Sequence, residues 1–169
     1  MLTRLARTPE DVARLIAGRA AAALATRPAT GSWSPVEIVC HLRDVEELFQ
    51  IRFHTILALD EPTILTFGAT PDVLRAWKIG GAIGHPLDPD RWATERQYIR
   101  ADAAEALAAW RRRRDEVLAL LSALSSTEWQ RGGVHPRDGR LPLTEWVSRL
   151  ADHDDNHLAQ LSRAIEGRP

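Results

Sequence analysis

Apolar side chains recur every three or four positions along four long stretches of the chain, which is the spacing of one face of an α-helix. The first stretch follows Thr8, a suitable N-cap residue, and Pro9, which suits the first helical position. This alanine-rich stretch ends near Ala25, before a proline and a glycine. The pattern therefore predicts a first helix that begins at Pro9.

The second stretch has a stronger start signal. Ser34 and Glu37 have the spacing of a capping box, and Pro35 lies between them at the first helical position. The helix is expected to run from Pro35 to about Leu59. Its apolar stripe consists of Ile38, Leu42, Val45, Leu48, Phe49 and Ile56.

Two further helices are expected in the C-terminal half. Asp102 and Glu105 form an acidic variant of the same start signal, and apolar residues at helical spacing follow as far as Leu124. After a glycine-rich loop, Thr144 is positioned to cap a last helix that runs to Glu166. These four stretches predict four long helices.

Prolines and glycines interrupt the segment from Leu59 to Arg100, where only short helices fit, near Pro71 to Ile79 and near Asp90 to Arg100. No strand-like alternation of useful length is present. The expected fold is therefore all-α: a single domain over residues 1–169, built as a four-helix bundle with short extra helices in its long central connection.

Composition narrows the possible partners. The formal net charge is -1, from 22 basic and 23 acidic residues, so a broad basic surface for nucleic acid is not expected. No apolar run is long enough to cross a membrane. Cys40 is the sole cysteine, which excludes an intrachain disulfide and favours a reducing cytoplasm.

Histidines supply the candidate chemistry. His153 and His157 are four residues apart, about 40° of rotation on a helix, so both rings can reach one ion. They share a face with the apolar residues Trp146, Leu150, Leu161 and Ile165. His41 lies at the edge of the apolar stripe of the second helix. Two helices thus offer three nitrogen donors to one interior, with a coordination position left open.

The histidines allow two other interpretations. A histidine on an apolar face is commonly a hydrogen-bonded core residue, so an apo bundle that serves as an interaction domain stays open. A zinc-protease motif is disfavoured because Asp154 stands where its general-base glutamate is required. The metal-site hypothesis needs all three side chains to converge.

Three segments together resemble the DinB/YfiT-like superfamily, a metalloprotein family distinct from the DNA polymerase of the same name: WSPVEIVCHLRDVE from Trp33 to Glu46, DPDRW from Asp88 to Trp92, and HDDNHLAQ from His153 to Gln160. The resemblance implies an up-down-down-up bundle, usually homodimeric, with three histidines on nickel or zinc. His41, His153 and His157 match those three positions.

The resemblance also implies a range of activities. Relatives include thiol S-transferases that use bacillithiol, mycothiol-dependent isomerases and metal-dependent hydrolases, so function diverges within the fold. The main hypothesis is an enzyme whose zinc or nickel ion activates a water, or a low-molecular-weight thiol co-substrate, against a small-molecule substrate. The alternative is a non-catalytic or stress-related bundle in which the ion and dimerisation are structural.

Several other polar residues have candidate roles. Asp44, one turn after His41, is a candidate catalytic group that orients a ligand or acts as a base, and a solvated helix acid is the alternative. Arg52 is expected to bury its stem and extend its head to solvent, with a substrate contact as the second option. His54 points about 140° away from His41. Arg111 to Arg114 are expected to form a solvated face rather than a basic patch, since two acids follow and Arg114 belongs to the apolar stripe.

Overall fold

Four long helices pack side by side in a computed structural model that describes residues 1–65 and 88–169. The elements, in chain order, are α1 (Leu2–Ile16), α2 (Ala21–Leu24), α3 (Pro35–Ala58), α4 (Pro89–Glu95), a 3-10 helix (Tyr98–Arg100), α5 (Ala103–Ser122), α6 (Ser126–Trp129), β1 (Gly132–His135), β2 (Gly139–Pro142) and α7 (Leu143–Ile165). Helices α1 and α3 each contact both α5 and α7. This arrangement confirms the predicted four-helix bundle.

The start of α3 follows the predicted capping box. The Ser34 backbone N–H donates to Oε2 of Glu37 at 2.8 Å, and the Ser34 hydroxyl donates to the same oxygen at 2.9 Å. Arg27 forms an ion pair with the other oxygen of Glu37. Because Pro35 occupies the first turn, where its missing N–H has no helical partner to lose, the sequence fixes where α3 begins.

The predicted start of α1 is wrong. The helix begins at Leu2 and contains Pro9, which cannot donate to the Leu5 carbonyl one turn earlier. Nη1 of Arg114 donates to that carbonyl at 2.6 Å instead, so a side chain on α5 replaces the missing backbone bond. The helix then ends at Ile16, and Gly18 turns the chain with a positive φ of 69° before α2.

A short β-hairpin was not predicted. Strands β1 and β2 pair antiparallel, with Gly132 opposite Pro142 and His135 opposite Gly139. A parallel bridge from Thr63 to Val134 ties the hairpin to the segment that follows α3. Strand β2 ends at Pro142, and α7 begins directly after it at Leu143. Pro142, and not the predicted Thr144, is therefore the N-cap residue.

The central connection is only partly described. The predicted short helix near Asp90 to Arg100 divides into α4 and the 3-10 helix, with Gln97 between them at a positive φ of 51°. The short helix predicted near Pro71 to Ile79 lies outside the described residues. No helix in the described ranges is both long and apolar enough to cross a membrane.

One arginine joins all four long helices. Arg114 of α5 is 1% exposed, as its position in the apolar stripe of this helix predicts. Its guanidinium donates to both carboxylate oxygens of Glu46 on α3 at 2.8 and 2.5 Å, to Oδ2 of Asp154 on α7 at 2.7 Å, and to the Leu5 carbonyl on α1. The helical period of α5 puts Arg114 among apolar residues, and burial there requires these partners.

Candidate metal centre

The three predicted histidines converge between α3 and α7. His41, His153 and His157 each offer one ring nitrogen, and these nitrogens all lie within 4.8 Å of one another. The Nε2 atoms of His41 and His153 are 3.1 Å apart. The ring centres of His153 and His157 are 4.3 Å apart, as four-residue spacing on one helix face predicts.

Burial keeps His41 and His157 uncharged. Desolvation, reinforced by the neighbouring His153 and His157, lowers the pKa of His41 to about 2. Desolvation and His153 also lower the pKa of His157 to about 4. Near pH 7 these two rings are therefore neutral and keep a lone pair on one nitrogen, which is the form that binds a metal.

The side chains around the cluster fix two of the rings. Trp33, in the loop before α3, packs 4.8 Å from His41 and stacks on His157 with an angle of 12° between the rings. Its indole N–H donates to Oδ1 of Asp90 at 2.9 Å. On α7, Nδ1 of His157 lies 2.7 Å from Oε1 of Gln160. If Nδ1 carries the proton, the Nε2 lone pair of His157 is free for an ion.

The cluster borders an open cavity of about 400 Å³. His157 and Trp33 form part of its wall, so one histidine of the cluster and the tryptophan that stacks on it both reach the cavity. The polar part of the lining comprises Ser32, Asp90, Gln160, Arg163 and Arg168. A volume of this size is typical of small-molecule sites.

Asp44 is buried, which excludes the solvated-acid interpretation. Its Oδ1 accepts from Nε of Arg43 at 2.7 Å, and its Oδ2 accepts from Arg96 and from the Tyr98 hydroxyl, both at 2.5 Å. Burial alone would raise the pKa of Asp44, but the bonds from Arg43, Tyr98 and Arg96 lower it. The carboxylate thus stays ionised and is tied to the segment after α4, and its role as base or orienting group stays a prediction.

The structure contradicts the expectation for Arg52 and agrees with the one for His54. Arg52 is buried, with its head included, and donates from Nε and Nη2 to the Leu65 carbonyl at 3.1 and 2.7 Å, so the expectation of a solvent-exposed head is wrong. His54 is exposed, which confirms that it points away from the cluster. Sequence reasoning assigned neither Gln160 nor Trp33 to the histidine site, although Gln160 is one helical turn from His157.

A four-helix bundle with an interior three-histidine cluster defines the class of protein. Comparison with known families is consistent with it, because the sequence profile of the DinB superfamily matches residues 4–161. The chain belongs to the DinB superfamily.

A solved structure has the same fold. YfiT from Bacillus subtilis, described as a probable metal-dependent hydrolase with an unusual four-helix bundle topology, is 21% identical and superposes with a TM-score of 0.78. The match covers 98% of this chain and 83% of that one. No curated protein matches the sequence. At 21% identity, the superposition shows that the two proteins share the bundle fold.

Proposed function

We propose that this protein is a metal-dependent enzyme in which His41, His153 and His157 hold one divalent transition metal, zinc or nickel. The observation that carries the proposal is the convergence of three ring nitrogens within 4.8 Å, beside a cavity of about 400 Å³. Imidazole nitrogen suits both metals. Burial of the rings also favours metal binding, because no proton has to leave His41 or His157 at neutral pH.

The donor set supports a catalytic rather than a purely structural ion. Structural zinc sites usually have four protein ligands, whereas catalytic sites have three and keep one position open. In the described ranges, the group that comes together consists of three histidines with no cysteine or carboxylate as a fourth member. A fourth protein ligand would support the alternative, a non-catalytic bundle.

The reaction class is hydrolysis or thiol transfer to a small molecule. A divalent metal held by three histidines supplies a Lewis acid that makes a water or thiol a better nucleophile near neutral pH. Trp33 covers one side of the cluster and limits access of bulk water from there. Hydrolysis is supported by the description of YfiT, and thiol transfer with a low-molecular-weight thiol by the family resemblance.

Asp44 is our candidate for the catalytic carboxylate. Its lowered pKa keeps it ionised at neutral pH, so it can accept a proton or orient a donor. Arg43, Arg96 and Tyr98 would hold it in place. We further propose a homodimer that works in the cytoplasm, on the basis of the family resemblance and the single cysteine.

The proposal is tested by elemental analysis of the purified protein, followed by activity screens on the metal-loaded form. One screen uses several low-molecular-weight thiols with electrophilic acceptors, and the other uses ester and amide substrates. We expect about one metal per chain, and His153→Ala to lose both metal and turnover. Unchanged turnover after complete metal removal would contradict the proposal, and His54→Ala is the control for histidine replacement as such.

A further inference from the structure

A charged group of three side chains lies in the interior next to the histidine cluster. The side chains of Glu46, Arg114 and Asp154 are each 2% exposed or less. Two carboxylates share one guanidinium, so the group carries a net charge of -1 if all three are ionised. Since buried charges cost free energy even when paired, a function for the second carboxylate is worth seeking.

The two oxygens of Asp154 have different surroundings. Oδ2 accepts from Nη2 of Arg114 at 2.7 Å. Oδ1 lies 3.6 Å from Nδ1 of His153, about 0.7 Å beyond a usual hydrogen bond. That Nδ1 is buried and has no hydrogen-bond partner in the part of the chain that the structure describes. A small rotation of the His153 ring would bring its Nδ1 within hydrogen-bond distance of Oδ1.

The other nitrogen of His153 points into the cluster. Its Nε2 lies 3.1 Å from Nε2 of His41. A neutral imidazole has one protonated nitrogen and one lone pair, so a proton on Nδ1 leaves the lone pair on Nε2, where an ion would be held. An acceptor beside Nδ1 therefore decides whether His153 can act as a ligand.

We propose that Asp154 is a positioning residue of the metal centre: Oδ1 accepts the Nδ1–H of His153 and so fixes the ring and its tautomer, while Arg114 holds Asp154. This inference rests on the proposed metal-binding function. Gln160 occupies the corresponding place beside His157, where its Oε1 lies 2.7 Å from Nδ1. Both α7 histidines thus have a side-chain oxygen beside Nδ1, one carboxylate and one amide.

Asp154→Asn gives a sharp test because it reverses the direction of the bond. With the amide oxygen facing Arg114, the amide N–H₂ faces His153 and donates to Nδ1, so the ring proton moves to Nε2 and blocks the ligand position. Glu46→Gln is the matched control, since it removes one acid from the same buried group without touching a histidine.

Two measurements follow on the folded full-length variants. Zinc affinity, measured by competition with a chromophoric chelator, is expected to fall about 10–100-fold in Asp154→Asn and to stay close to wild type in Glu46→Gln. Nitrogen-15 NMR of histidine-labelled, metal-free protein is expected to show the Nδ1–H form of His153 in the wild type and in Glu46→Gln, and the Nε2–H form in Asp154→Asn.

The outcomes separate this inference from the proposed function. Equal losses of zinc affinity in both variants would assign the effect to net charge and overturn the positioning role, as would an unchanged affinity in Asp154→Asn. If Asp154→Asn does not fold, the wild-type tautomer decides: the Nε2–H form overturns the inference. If wild-type protein binds no zinc or nickel, the proposed function fails, while the tautomer still tests the Asp154–His153 contact.

Discussion

The Nε2 atoms of His41 and His153 lie 3.1 Å apart although 112 positions separate the two residues in the chain. Two lone pairs cannot face each other at this distance without repulsion, so a proton or a cation must lie between the rings. The bundle holds α3 against α7 and thereby brings the two nitrogens close enough to share one proton or one cation. A metal ion would lie between them with the third ring, His157, beside it.

Removal of His41 should abolish tight metal binding. In His41→Ala the pair on α7 remains, but two ligands at one helix face chelate more weakly than three from two helices. We expect that zinc at 100 times its dissociation constant stabilises the wild type by about 2.7 kcal/mol and gives His41→Ala little stabilisation. Thermal unfolding with and without zinc measures this, with the exposed His54→Ala as control. An equal zinc-dependent shift in His41→Ala would exclude His41 as a ligand.

The cap of α3 should make stability depend on pH. Burial would raise the pKa of Glu37, but bonds from Arg27 and Ser34 lower it below its usual value of 4.5. In acid, the unfolded chain therefore binds more protons than the folded protein does. The stabilisation that the ionised Glu37 provides is fully present above pH 4.5 and is lost as the pH falls through the folded-state pKa. Glu37→Gln should cost about 1 kcal/mol at pH 7, with Arg27 half-exposed to solvent screening.

The measurement for Glu37 is urea unfolding of both proteins at pH 7 and at pH 3. The difference in unfolding free energy between wild type and Glu37→Gln should shrink at the lower pH. Glu47→Gln, at an exposed acid of the same helix paired with Arg113, should change little at either pH. A constant difference for Glu37→Gln would mean that the charge of the cap is unimportant.

How well the sequence predicts each part of the fold depends on how far apart in the chain the interacting residues are. The start of α3 was predicted because Ser34, Pro35 and Glu37 interact within one turn. The start of α1 was not, because the Leu5 carbonyl that Pro9 leaves without a backbone donor accepts from Arg114, 109 positions away. The hairpin also depends on a distant contact, the bridge from Thr63 to Val134.

The candidate site shows the same division. His153 and His157 were placed together by helical spacing alone, and His41 by its place at the edge of an apolar stripe. The partners around them were missed: Asp154 faces Arg114 of α5, and Trp33 reaches His157 across the bundle. Helical spacing locates residues on one helix, whereas these contacts depend on how different helices pack.

Arg114 should matter more to stability than any neighbouring arginine. Replacement by methionine keeps the apolar stem but leaves Glu46 and Asp154 buried without a countercharge and the Leu5 carbonyl without a donor. Breaking a buried ionic group in this way costs about 3–5 kcal/mol, so Arg114→Met should be strongly destabilised or unfolded. Arg113→Met, at a part-exposed partner of Glu47, should cost at most about 1 kcal/mol. Similar urea midpoints for the two variants would refute the structural role of Arg114.

Asp44 is tested by separating metal content from turnover. Asp44→Asn keeps the shape of the side chain and removes its basicity, and the residue is not a member of the three-histidine group. If Asp44 accepts or orients a proton, kcat should fall about 10²–10⁴-fold while the metal content stays near wild type. Tyr98→Phe is the control, because it removes one bond to Oδ2 of Asp44 and leaves the carboxylate and its two arginine contacts. The substrate found in the activity screen serves for both variants. Equal kcat values in Asp44→Asn and the wild type would exclude a catalytic role for Asp44 and leave it the structural role of binding Arg43, Arg96 and Tyr98.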